Sequence, residues 1–159
     1  RAAVWIKLNM EDGFRGGLTP DDGLEAARLF AADGCLDAIQ LTGGHTTKTP
    51  MFLMRGTTPV RELVQIQSPW WKRRIMAFVL PRVMRSYRFE EAFFAPTARR
   101  FRAALDLPLM LLGGVTQLAT MEQAMADGFD FIALGRALIR DPDLVQRMEA
   151  GDLSGSRCV

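Results

Sequence analysis

Residues 107–143 read LPLMLLGGVTQLATMEQAMADGFDFIALGRALIRDPD. Twice in this stretch an apolar run ends on glycine and passes straight into a helical pattern. The first run is LPLMLLGG (Leu107 to Gly114), followed by TQLATMEQAMADG; the second is DFIALG (Asp130 to Gly135), followed by RALIRDPDLVQRMEAG. Short apolar runs bounded by glycine read as buried strands. Gly113 and Gly114 bring backbone close to whatever lies beyond the strand end, since no Cβ intervenes. Gly135 and Arg136 do the same, and their N–H groups open a helix whose dipole favours negative charge. The Arg136 guanidinium adds paired hydrogen bonds to an oxyanion. Either pair alone is turn punctuation. Both together, on consecutive units and each with an open helix start, point to one phosphate site built from two strand ends.

Working upstream, the same order occurs twice more. AVWIKL (Ala3 to Leu8) is a strand, and NMEDGFRGGL is its loop. Thr19-Pro20 supplies an N-cap and a first-turn proline for the helix DDGLEAARLFAADG. Leu24, Ala27, Leu29 and Phe30 give that helix its apolar face, and Gly34 closes it. LDAIQLTGG is the second strand. A long mixed region runs from His45 to about Ser86, and RFEEAFFAPTARRFRAALD reads as a helix interrupted near Pro96. Strands alternating with helices imply parallel pairing through right-handed crossovers. The strand runs are apolar on both faces, as parallel strands covered by helices are. The solutions are a doubly wound sheet or a barrel, and four βα units are half of an eight-unit barrel. The fold class is therefore α/β, a partial (β/α)8 TIM barrel of about four βα units with a long inserted helical region. No GxGxxG is present, so a dinucleotide-binding Rossmann unit has no support.

Bulk properties agree with a soluble globular domain. The chain has 159 residues, 48% of them hydrophobic and 24% charged, enough for one domain with a sizeable core. A formal net charge of +2 gives no argument for nucleic acid. Two cysteines, Cys35 and Cys158, make no disulfide framework, so the cytoplasm is the expected compartment. No run of 18 uncharged apolar residues exists, so no transmembrane helix is expected. The chain opens on Arg1 without an initiator methionine and stops at Val159, which reads as part of a longer polypeptide.

The segment SPWWKRRIMAFVLPRVMRSYRF (Ser68 to Phe89) mixes large apolar residues with Lys72, Arg73, Arg74, Arg82, Arg85 and Arg88. It reads as an extra helical segment in a βα loop that packs its apolar side on the domain; barrels carry such insertions on the active-site face. The other reading is a basic helix lying on an anionic membrane. Lys7 sits in an apolar run near the end of the first strand. It either snorkels to the surface or holds a fixed positive charge toward a ligand that gains negative charge. His45 lies beyond the second strand without partners for a triad or a metal site and reads as a loop residue. Cys35 reads as packing.

The stretches VWIKLNMEDGFRGGLTPDDGLEAARLF, LDAIQLTGG, LPLMLLGGVT and FIALGRALIRDPDLVQRMEAG resemble the C-terminal half of the NADH:flavin oxidoreductases, the Old Yellow Enzyme group. The resemblance covers nearly all of the chain, with Trp70 to Arg88 its least familiar part. It implies an eight-stranded barrel holding FMN, with this chain as strands five to eight. The implied reaction carries hydride from NAD(P)H through the flavin to a small-molecule acceptor such as an activated alkene. Lys7 falls where the family has a basic residue near the flavin pyrimidine edge, where it would stabilise anionic reduced flavin. Gly113, Gly114, Gly135 and Arg136 fall on the phosphate cradle. Cys158 falls where some members begin a cysteine-rich segment leading to an iron–sulfur cluster; the chain leaves that cluster open. The family's substrate-binding histidine or asparagine pair, proton-donating tyrosine and flavin-contacting glutamine come from the first half of the barrel. The resemblance therefore implies no turnover by the 159 residues alone. The residues by themselves leave two alternatives open. One is a flavin-free phosphate-binding barrel, a lyase or isomerase in which Lys7 acts through its amine. The other is an inactive fragment carrying a membrane-surface helix.

Overall fold

The computed structural model describes residues 2–158. Its strands are β1 (Trp5–Asn9), β2 (Ala38–Thr42), β3 (Leu109–Leu112) and β4 (Phe131–Ala133). Its helices are α1 (Pro20–Asp33), α2 (Val60–Gln65), α3 (Trp70–Val83), α4 (Ala95–Arg102), α5 (Leu118–Ala126), α6 (Arg136–Arg140) and α7 (Leu144–Glu149). The four strands form one parallel sheet in the order β1-β2-β3-β4. A doubly wound sheet reverses its strand order at a switch point. This order never reverses, so the sheet is a sector of a barrel.

Register separates the two faces. Leu8 pairs with Leu41, Ile39 with Leu109, and Leu111 with Ile132. Ile39, Leu41, Leu109 and Leu111 are buried, and they form one core with Ala27 of α1, Ala98 and Phe101 of α4, and Ala124 of α5. The opposite face carries the row Lys7, Gln40, Met110 and Phe131. Trp5 and Phe131 on that face are 52% and 53% exposed. The strands are apolar on the helix side as expected, but the opposite face mixes Lys7 and Gln40 with Trp5, Met110 and Phe131, and helices cover only the first. The other is the face a closed barrel turns inward.

The start of α1 follows its sequence signals. The Thr19 hydroxyl accepts from the Asp22 amide, and the Asp22 carboxylate accepts from the Thr19 amide, a reciprocal capping box with Pro20 in the first turn. The Thr19 hydroxyl holds the Asp22 carboxyl below the usual carboxylate range. Gly34, at φ 70°, closes the helix in the left-handed conformation that glycine tolerates. The expected apolar face is only half right. Leu24 and Ala27 face the core, but Leu29 is 68% exposed and Phe30 is also exposed. The buried stripe runs through Gly23, because a Cβ there would lie 2.4 Å from the Met10 carbonyl oxygen. Close approach of the backbone, rather than bulk, turns the helix.

Pro96 does not interrupt a helix. It stands in the first turn of α4, where its missing N–H costs nothing. Residues 88–94 are irregular and bring Phe93 and Phe94 into the core. Basic residues of α4 tie the helical layer together: Arg99 meets Asp127 at 2.7 Å, Arg102 meets Asp130 at 3.2 Å, and Arg100 pairs with Asp21. Cys35 is exposed, not packed.

The α2–α3 segment is an arm between β2 and α4. Its root closes through the Gly56 amide to the Tyr87 carbonyl at 2.9 Å and a Thr58–Ser86 hydroxyl pair at 2.8 Å. The Tyr87 ring stands edge-on to Phe52 in the core. Contrary to expectation, α3 does not bury an apolar side on the domain: none of its residues is buried, and Trp70, Trp71, Ile75 and Phe78 are exposed. No helix among the described residues is long and apolar enough to cross a membrane.

Packing localises stability in the covered face. Phe101→Ala is expected to cost about 3–5 kcal/mol, whereas Leu29→Ala stays within about 0.5 kcal/mol. Urea unfolding of the two variants checks the contrast, and equal losses would mean that the α1 face has been assigned wrongly.

Candidate functional site

The ends of β3 and β4 meet in a cleft of about 180 Å³. Its walls are Leu112 to Thr116 from the β3 end and Ala133 to Ala137 from the β4 end. Leu53, Met54 and Phe89 come from the two roots of the arm, and Cys158 from the C-terminal segment. Gly113, Gly114, Gly135 and Arg136 thus share one cavity. The pairing of Leu112 with Ala133 dictates this, because it sets the residues after each strand side by side. Among the described residues, no aspartate or glutamate lines the cleft.

The glycines have different reasons. Gly113 and Gly114 have φ of 112° and 71°. A Cβ on Gly113 would lie 2.5 Å from the Phe94 ring, and one on Gly114 would lie 2.6 Å from the Phe93 ring. Core packing and backbone conformation already require both glycines. At Gly135 φ is −118° and a Cβ would meet nothing within 4 Å. Gly135 lines the cleft, so packing does not require a glycine here and the backbone is open to approach. Among the described residues, no group accepts a hydrogen bond from the amides of Gly114, Val115, Arg136 or Ala137. Four donors without acceptors around a cleft that no described aspartate or glutamate lines suit an oxyanion.

One expectation is corrected. The start of α5 is not open. The Glu91 carboxylate accepts from the Thr116 amide and hydroxyl, both at 2.7 Å, and from the Gln117 amide at 3.0 Å. Glu91 fills that helix start itself, so the β3 end offers its glycine turn and not a helix terminus.

Arg136 points back toward the arm root. Its two terminal nitrogens donate to the Arg55 carbonyl at 3.5 and 3.4 Å, at the long limit for such bonds. No acidic residue among those described pairs with it. Arg55 lies over the Phe93 ring at 4.5 Å and the Phe52 ring at 5.3 Å, and its buried Nε has no partner. Neither Arg55 nor Glu91 is visible as a site residue in sequence, since each acts on a strand end more than 20 residues away.

The C-terminal segment is tied to the cleft. The Ser156 amide donates to the Thr116 carbonyl at 2.9 Å, and the Ser156 hydroxyl to Asp141. The Cys158 amide donates to the Ser156 hydroxyl at 3.2 Å. Arg147 braces this segment through Asp143 and Asp152. The Ser154 amide and hydroxyl, with Arg147, hold the Asp152 carboxyl at about 2.

Lys7 lies outside the cleft. It is exposed on the uncovered sheet face of β1, three strands from β4. His45 lines a neighbouring cavity that shares Leu53 and Met54 with the cleft. Its Nδ1 accepts from the Thr47 and Lys48 amides at 3.2 and 3.3 Å, which places the ring proton on Nε2. It acts as a turn residue, as its isolation in sequence suggests.

A barrel sector with a glycine-lined cleft at the carboxyl ends of its last two strands defines the structural class. The chain is 44% identical over 157 residues to a 4,4'-dithiodibutanoate disulfide reductase of Rhodococcus erythropolis; the match takes in 99% of this chain and 39% of that protein. It is 28% identical over 158 residues to a multifunctional alkene reductase/demethylase of Caballeronia cordobensis, 98% of this chain and 19% of that one. Among solved structures, a 2-naphthoyl-CoA reductase in complex with 2-naphthoyl-CoA matches 96% of this chain and 19% of its own, with a TM-score of 0.60 at 20% identity. No family model matches. The chain belongs to the Old Yellow Enzyme family, and it spans well under half the length of these relatives.

The two kinds of glycine separate experimentally. Gly113→Ala is expected to lower the melting temperature by several degrees, consistent with a loss above about 1 kcal/mol from strain and overpacking. Gly135→Ala leaves it nearly unchanged. Equal losses in thermal unfolding would contradict the assignment.

Proposed function

We propose that this chain is the flavin-phosphate half of an FMN-dependent (β/α)8 reductase of the Old Yellow Enzyme type. One observation carries the proposal: the glycine turns after β3 and β4 and Arg136, which has no acidic partner among the described residues, converge on a single cleft with free amides and no described carboxylate in its lining. The residues present fit a dianionic phosphate. Amides of Gly114, Val115, Arg136 and Ala137 would donate to its oxygens, the Arg136 guanidinium would neutralise part of its charge, and Gly135 leaves room for approach.

The flavin, when bound, supplies hydride acceptance from NAD(P)H and donation to an acceptor. The chain's own residues anchor and orient the phosphate end. Lys7 stands on the uncovered face, in the row with Gln40 and Met110 that closure of a barrel turns inward. There its ammonium would offset negative charge gained by the ring system on reduction. The relatives' names describe reductases acting on a disulfide and on alkenes, and the acceptor here belongs to that range. The groups that bind the acceptor carbonyl and donate its proton belong to the rest of the barrel, so the 159 residues alone should not turn over.

The full-length polypeptide containing this chain should purify yellow. Arg136→Ala is expected to weaken FMN binding by ten- to a hundredfold, since a charge-assisted hydrogen-bond pair is worth about 1.5–3 kcal/mol. Equilibrium dialysis measures the change. A colourless protein that takes up no FMN, or a variant with undiminished affinity, would sink the proposal.

A further inference from the structure

We infer that the groove at the root of the α2–α3 arm binds the oxyanion tail, carboxylate or phosphate, of the small molecule that reacts at the flavin. The inference rests on the flavin reading and adds the chemical class of the substrate. The groove measures about 700 Å³ and lies where the two roots of the arm come together. That volume falls in the range that holds a small molecule. Phe89 lines both this groove and the phosphate cleft, so the two adjoin across one ring.

The wall chemistry selects negative charge. Thr57, Thr58 and Ser86 offer hydroxyls, Tyr87 and Phe89 offer ring surface, and Arg88 offers a guanidinium. The Arg85 guanidinium lies over the Tyr87 ring at 5.3 Å, at the groove's edge. Among the described residues, no aspartate or glutamate lines the groove or the cleft. Elsewhere folding neutralises arginine: Arg99, Arg100, Arg102 and Arg147 each meet an aspartate. No acidic residue among those described pairs with Arg85 or Arg88. Residues 68–88 hold six basic side chains and no acidic one, although the whole chain carries 20 basic against 18 acidic residues. The arm is therefore basic as a whole, and it sets Arg88 in the wall of a concave, hydroxyl-bearing groove with Arg85 stacked on the neighbouring Tyr87 ring. Such a surface focuses the field and attracts anions in a salt-dependent way.

The test uses the full-length flavin-loaded protein and three probes on one phenylpropyl scaffold: 4-phenylbutanoate, 3-phenylpropyl phosphate and 4-phenylbutanamide. Calorimetric dissociation constants are measured for the wild type and for Arg88→Gln, with visible absorbance reporting bound flavin. Arg88→Gln should weaken the carboxylate, the phosphate, or both by about tenfold, the value of one charge-assisted hydrogen bond. The amide should change less than twofold, Arg88→Lys should recover most of the loss, and raising salt should erode the wild-type preference. Whichever anion responds identifies the tail. Equal weakening of all three probes, or no change in either anion, overturns the inference while flavin absorbance stays intact. Loss of the flavin itself would count against the flavin reading instead.

Discussion

The parallel register between β3 and β4 decides where everything else in this molecule goes. Leu112 opposite Ala133 puts two glycine turns at the same height on adjacent strands. A slip of one residue would turn Leu111 off the core and move Gly114 out of line with Gly135. Burial of Leu109 and Leu111 under Phe101 and Ala124 makes that slip costly. The cleft is therefore a by-product of core packing at the strand level. Its precision comes from groups that never meet a ligand.

Those supporting groups form a second layer. Phe93 and Phe94 back the Gly113-Gly114 turn so closely that neither position admits a Cβ. Arg55 stacks on Phe93, and its carbonyl receives Arg136. Glu91 occupies the start of α5 and fixes Thr116, whose carbonyl in turn holds Ser156. Three separate parts of the chain, the arm root, the segment before α4 and the C-terminal segment, thus converge on one turn. Contacts from three sides restrict the turn before anything binds, and such restriction lowers the ordering cost of binding.

Much of this was legible in sequence, for identifiable reasons. The βα order followed from apolar runs punctuated by glycine, and the cap of α1 from Thr19, Pro20 and Asp22. The meeting of Gly113 with Gly135 followed from consecutive parallel units. The errors fell where tertiary contact overrides pattern. Leu29 and Phe30 looked like core but face outward, because Gly23 must sit against the Met10 carbonyl. Pro96 looked like an interruption and is a helix start. The arm looked as though it packed on the domain, yet α3 buries nothing. Glu91 and Arg55 gave no signal at all, since their roles exist only once distant segments meet. Family membership came from residues spread over the whole chain, not from any single motif.

The claim beneath all of this is that the cleft recognises phosphate. The most direct measurement is the ratio of FMN to riboflavin affinity in the full-length protein, because the two ligands differ only by the phosphate group. The account predicts that FMN binds at least about a hundredfold more tightly, close to 3 kcal/mol. It also predicts that Arg136→Ala narrows the ratio by acting on FMN alone. Equal affinity for the two flavins would contradict it.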